Sequence, residues 1–155
     1  MRRKPIKNIF ISAIHQNAGK TTFSLGLLSA FRKRRLTTTF LKPIGQEVVS
    51  LGDGGHVDKD SYLIGEVFHR GKTRKEMSPV TIGRGYTEEY IFNPKKTNIE
   101  SSIVSAFNKL TRGKDAIVVE GTGHAGVGSV IDFSNADVAK LLNSKVIIVS
   151  GGGIG

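Results

Sequence analysis

The chain has 155 residues, with 23 Lys plus Arg against 13 Asp plus Glu, a formal charge of +10 and no cysteine. That length holds one domain with a real core, and without thiols the chain has no disulfide, no thiolate metal site and no cysteine nucleophile, which fits a reducing, cytoplasmic setting. No aliphatic run approaches the ~20 residues that cross a bilayer, and the positive balance favours an anionic partner without bearing on fold.

The basic start Met1-Arg2-Arg3-Lys4 is followed by an apolar stretch too short for a signal peptide. Residues 8–14 are apolar almost without alternation, as in a parallel strand covered on both faces. Residues 21–34 carry Phe23, Leu27, Leu28 and Phe31 at helical spacing and run into the cations Arg32-Lys33-Arg34-Arg35. A β-branched and aromatic second strand, 37–41, is closed by Pro43. Residues 48–56 read as a loop, then Asp58 and Asp60 open a further helix, and 70–90 is an irregular stretch expected to take its order from a ligand. Ile99, Ile103, Val104, Phe107 and Leu110 share one face of a helix over 98–110. A buried strand at 115–120, a short helix at 136–142 and a last strand at Lys145–Val149 complete the order. This alternation predicts an α/β fold with a mainly parallel sheet and helices on both faces.

The basic clusters at 2–4, 32–35, 69–75 and 95–96 have no interleaved aromatics and read as solvated surface; a nucleic-acid-binding domain is the minor reading. The chemistry concentrates instead between the first strand and the first helix, in Ala13-Ile14-His15-Gln16-Asn17-Ala18-Gly19-Lys20-Thr21-Thr22. A bound triphosphate needs inward-facing backbone N–H groups, a positive helix end, a flexible cation and a hydroxyl for Mg²⁺. Gln16, Asn17, Ala18 and Gly19 are placed to supply the backbone, Lys20 to reach the β and γ phosphates, Thr21 to ligate Mg²⁺ and Thr22 to touch the α-phosphate. The strict Gly-x4-Gly-Lys-Ser/Thr template is not met, because Ile14 stands five before Gly19; the alternative is an ordinary strand-to-helix turn. Glu120, ending a parallel strand, faces the crevice where such sheets bind ligands, and is the candidate second metal acid against a solvated strand end. Asp58 and Asp60 are each a helix cap or a metal ligand. Lys42, after the second strand, would join Lys20 around a polyanion, or else is an exposed lysine.

Together these pieces resemble the dethiobiotin synthetase family of P-loop enzymes over essentially the whole chain. Ala13 to Thr21 has that family's longer loop spacing, Lys42-Pro43-Ile44 matches its Lys-Pro-Val, Asp60-Ser61 its Asp and small residue, and Val119-Glu120-Gly121-Thr122-Gly123 its Val-Glu-Gly-Ala-Gly. The resemblance implies a three-layer P-loop NTPase fold using ATP and Mg²⁺. Lys20 would bind phosphates, Thr21, Asp60 and Glu120 would hold Mg²⁺, and Lys42 would lie beside the transferring phosphoryl group. His15, Gln46 and His124 depart from the family pattern, the first two at substrate-side positions.

The stretch from Glu120 to Asn135, with the glycines after Ser150, resembles a branch labelled as related to cobyrinic acid a,c-diamide synthase, and similar domains precede some phosphotransacetylases. An amidoligase of that kind takes ammonia from a Cys-dependent glutaminase domain, and without cysteine residues 1–155 cannot themselves hydrolyse glutamine by that route. His15 and His124 are candidate bases or phosphate donors there. The expectation is a cytoplasmic ATPase or ATP-dependent ligase, activating a small-molecule carboxylate or amine-derived carbamate and forming a homodimer, with a non-catalytic nucleotide-binding module as alternative. Relatives continue beyond the strand at Lys145–Val149, so residues 1–155 are expected to be one P-loop domain forming the N-terminal part of a longer protein.

Overall fold

A computed structural model describes residues 6–52, 54–69, 74–82, 86–93, 96–124, 128–131 and 133–151. The first apolar run forms β1 (Lys7–Ala13). The chain turns through the glycine-containing loop into α1 (Lys20–Lys33) and then enters β2 (Thr38–Leu41). Short strands β3 (Ile44–Gly45), β4 (Val48–Ser50) and β5 (His56–Asp58) lead into α2 (Lys59–Phe68). After a 3₁₀ turn at Lys75–Met77 come β6 (Val80–Thr81), α3 (Tyr86–Phe92) and α4 (Lys96–Thr111). The last elements are β7 (Ala116–Glu120), a 3₁₀ turn at Ser129–Ile131, α5 (Asn135–Leu141) and β8 (Lys145–Val149).

The main sheet has the order β2-β7-β1-β8, every pair parallel, so α1 crosses over β7 on its way from β1 to β2. β7, flanked by strands on both sides, is buried at all of its residues, which explains its unbroken apolar sequence up to Glu120. Register and pleat separate the two faces. Ile9, Ile11, Val118 and Glu120 point toward α1, since Glu120 bonds to Ser24 of that helix. Phe10 and Ser12 point the other way, lining a groove with Ala139 of α5, and Thr39 and Leu110 of α4 share a wall on that same face. Helices therefore cover both faces, giving the expected three layers.

The core joins Phe10, Ile11, Leu28, Phe40, Leu41 and Ile64 with Ile103 and Leu110. α4 follows its pattern closely, burying Ile99, Ile103, Ala106 and Leu110. α1 departs from its pattern. Phe23, expected on the core face, is 40% exposed, and the buried row is Lys20, Ser24 and Leu28. The first turns of this helix face a carboxylate instead of an apolar wall, so its inner face there is polar.

Two expectations about irregular segments are corrected. Residues 48–56 are not a plain loop: β4 and β5 pair antiparallel from Val48↔Asp58 to Ser50↔His56, with Val57 completely buried. The short alternation Val48-Val49-Ser50, interrupted by Gly52 and Gly54, hid a hairpin. Within 70–90, β6 pairs parallel with β3, Met77 and Ile82 extending that contact through bonds to Lys42 and Gly45; residues 70–73 and 83–85 lie outside the described residues. This segment covers the free edge of the chain beyond β2, satisfying its backbone where the main sheet ends.

Candidate functional site

At the carboxyl ends of β1, β7 and β2 lies a cavity of about 310 Å³. Gln16, Asn17, Gly19, Lys20, Thr21 and Thr22 form one side, with Lys42, Asp58, Asp60 and Glu120 opposite; Ala18, expected in the loop, is not part of the wall. Asn17 and Gly19 adopt left-handed backbone, φ 62° and 91°, and Gly19 opens α1 without any side-chain cap. No acidic residue occupies the first turn of α1. The N–H groups of that turn are thus left to an external acceptor beside the positive end of a helix of 14 residues, the physical basis of an anion site.

Glu120 is fully buried and held from three sides. Thr21 Oγ1 donates to its Oε1 at 3.0 Å, Ser24 Oγ to its Oε2 at 2.7 Å, and Lys42 Nζ stands 3.4 Å from Oε1. Burial pushes the Glu120 carboxyl up, against the opposing pull of Lys42 and the two hydroxyls. Lys42 also bonds to Asp60 and lies 3.4 Å from Asp58 Oδ1. Burial works against its charge, but Glu120, Asp58 and Asp60 outweigh it and hold the ammonium well above the ordinary lysine range. Lys20 points into the same region, its Nζ donating to the Gly123 carbonyl. Its proton affinity is lowered by burial and by Lys42, against the attraction of Glu120 and Asp60.

The open choice at Asp58 and Asp60 divides by geometry. Asp58 is the N-cap of α2 and almost completely buried. Its Oδ1 accepts from Asp60 N–H at 3.0 Å, and its Oδ2 from the N–H groups of Gln46 at 3.0 Å and Glu47 at 3.3 Å. With its lone pairs so engaged, Asp58 fastens the Gln46–Glu47 turn to the helix start. A Cβ at Gly45 would meet Asp58 Cβ at 2.5 Å, so glycine is required for this approach. Asp60 is more open and faces Lys42 alone among these groups.

The oxygen set of Thr21, Asp60 and Glu120 suits a hard divalent cation, and the Lys42 ammonium already stands in as the cation between the carboxylates. Among the described residues no group of three His, Cys, Asp or Glu side chains is arranged to bind a metal unaided.

Two supports were not anticipated from sequence. Ser24, three residues beyond Thr21 on the same helix face, could have been found from that spacing. Asn135, opening α5, accepts from Thr122 N–H and donates to the Thr122 and His124 carbonyls at 3.0, 3.0 and 2.9 Å, fixing the turn after Glu120; no local pattern signals this. The histidines stand apart. His15 is exposed with Nδ1 against the Gln16 carbonyl, His124 is exposed as well, and neither lines the cavity.

Comparison with known proteins leads to one family. A family described as the AAA domain matches residues 7–155. A phosphate acetyltransferase of Pseudomonas aeruginosa is 29% identical over 144 residues, covering 91% of this chain and 19% of that protein. An ATP-dependent dethiobiotin synthetase of Methanococcus vannielii is 24% identical, covering 92% of this chain and 64% of its own length. A cobyric acid synthase of Clostridium novyi is 26% identical, with 92% and 32% covered. The chain thus spans about a fifth of that acetyltransferase and just under two thirds of that synthetase. A match running from β1 to the end of the chain, on this parallel sheet and this loop, makes the protein a member of the AAA-domain family, a P-loop NTPase of the dethiobiotin synthetase-like kind.

Proposed function

We propose that the protein binds Mg-ATP in the cavity between α1 and Lys42 and transfers the γ-phosphoryl group to a small carboxylate or carbamate acceptor, the first step of an ATP-dependent ligation. The observation that carries this is the convergence of Lys20, Thr21, Lys42, Asp60 and Glu120 at one opening beside the uncapped start of α1. The names of the synthetases among its relatives support it. The left-handed turn at Asn17 and Gly19 aims backbone N–H groups at the phosphates, and Lys20 neutralises them. Thr21, Asp60 and Glu120 would hold Mg²⁺, with Ser24 fixing the Glu120 oxygen that does not face Thr21. When bound, Mg²⁺ neutralises charge on the phosphate oxygens. Lys42 would turn from the carboxylates toward the acceptor side, bordered by Gln46 and Glu47, and stabilise charge on the phosphoryl group as the acceptor oxygen bonds to phosphorus and the bond to ADP breaks.

Phosphate release or acyl-phosphate trapping with candidate acids tests this. Lys20→Ala and Glu120→Gln should each lower turnover about 10²–10³-fold. Equal rates in the wild type and both variants would overturn the assignment. The match to only a fifth of a phosphate acetyltransferase favours a second reading, a nucleotide-binding module without turnover; tight Mg-ATP binding with no phosphate release under any acceptor would select it.

A further inference from the structure

His69 and Arg74, two members of the basic run at 69–75, do not line the nucleotide cavity; they join Lys114, Thr39, Met77 and Leu110 around a separate cavity of about 150 Å³. It lies on the α4 side of the sheet, and Lys114 precedes β7 at the end opposite Glu120. Backbone contacts fix its walls. His69 closes α2, donating its N–H to the Gly65 carbonyl at 2.9 Å, and the Lys114 N–H donates to the Thr111 carbonyl at 3.1 Å. Arg74 holds an extended backbone at the head of the 3₁₀ turn Lys75–Met77.

Among the described residues no carboxylate lines this space. Of the nearby acids, Glu76 pairs with Lys109 at 3.6 Å and Asp115 accepts from the Thr37 N–H and hydroxyl at 2.8 and 2.7 Å, while Glu66 on α2 and Glu100 on α4 are exposed and outside the lining. Among the described residues neither Arg74 nor Lys114 has an acidic partner. His69 Nε2 is buried without a hydrogen-bond partner, and burial, then Lys114 and Arg74, depress its affinity for a proton. Buried polar nitrogens normally find partners, and cations gathered in one place call for an anion. We propose that the cavity bounded by His69, Arg74 and Lys114 is a second anion site that takes a phosphate group, as the free ion or on a small phosphomonoester. Arg74 supplies a planar fork of donors, Lys114 a point charge and the imidazole one N–H.

The test is an NMR titration of histidine-labelled protein with inorganic phosphate, and in a second arm with glycerol phosphate, at ionic strength held constant with chloride. A Lys20→Ala background removes the contribution of the phosphate loop, and His69→Gln assigns the resonance. The His69 signal should shift saturably, while His15, His56 and His124 do not, and its titration midpoint should move upward as the anion offsets the field of Arg74 and Lys114. Response to phosphate alone identifies the free ion; response to both admits the ester. Arg74→Gln combined with Lys114→Gln should weaken the response about tenfold or more. A His69 signal that never saturates in the Lys20→Ala protein overturns the site, as does a saturable shift unchanged in the double variant.

Discussion

At the residue scale the decisive feature is one ammonium among three carboxylates. Lys42 contacts Asp58, Asp60 and Glu120 with little exposure to solvent, so it neutralises groups that would otherwise repel one another in a buried place. A divalent cation at Asp60 and Glu120 would compete with it, and the two arrangements exchange one positive partner for another. Lys42→Met leaves those carboxylates uncompensated, and should cost about 3–5 kcal/mol in the presence of a chelator. Mg²⁺ should restore more stability to this variant than it adds to the wild type. Urea unfolding with and without Mg²⁺ checks this, and an identical Mg²⁺ effect in both proteins would mean that Lys42 and the metal do not share a place. The place of Lys20 and Thr21 on the cavity wall was readable from sequence, because the loop spacing and the adjoining helix carry it. The division between Asp58 and Asp60 was not, because both lie at the same helix start and only the backbone of Gln46 and Glu47 distinguishes them.

Among elements, the hairpin β4–β5 and the start of α2 form a frame around the cavity wall at Gln46 and Glu47. Lys59 N–H donates to the Glu47 carbonyl at 2.7 Å, and Asp58 grips the same turn from beneath. Gly45 is the contact on which this frame closes. Gly45→Ala should destabilise the protein by about 1–3 kcal/mol through overpacking against Asp58 and should loosen Lys42 through its partner. Denaturant midpoints measure the first effect; wild-type stability in this variant would show that the turn can move away from Asp58 without loss. The long elements were legible because their periods are sustained: β1, α4 and β7 follow the apolar pattern nearly residue for residue. The hairpin and the β3–β6 pair were not, because strands of two or three residues carry too few side chains to show a period, and their pairing is decided by partners distant in sequence.

For the molecule as a whole the charge is +10; the described basic cluster at 32–35 is exposed, while the site balances Lys20 and Lys42 against Asp58, Asp60 and Glu120. A specific anion should therefore matter more than bulk charge. Mg-ATP at about a hundredfold over its Kd should add about 2.7 kcal/mol, and so raise the melting temperature by about 5–10 °C; Lys20→Ala should abolish the rise. No shift with Mg-ATP, alongside salt-sensitive binding to nucleic acid, would favour the basic-surface reading instead. Among the described residues no helix is long and apolar enough to cross a membrane. β8 ends the sheet with Val146 and Ile148 51% and 65% exposed beside α5. What the sequence determined by itself was the α/β alternation, the parallel core strands and the loop that joins β1 to α1 through Gly19 and Lys20, since each is carried by neighbouring residues or by a regular period. What only the tertiary structure decided was the partnership of Glu120 with Ser24 and Lys42, the capping role of Asp58, the brace of Asn135 and the gathering of His69, Arg74 and Lys114. Those depend on strand order and on contacts between residues far apart in the chain, where local preference carries no information.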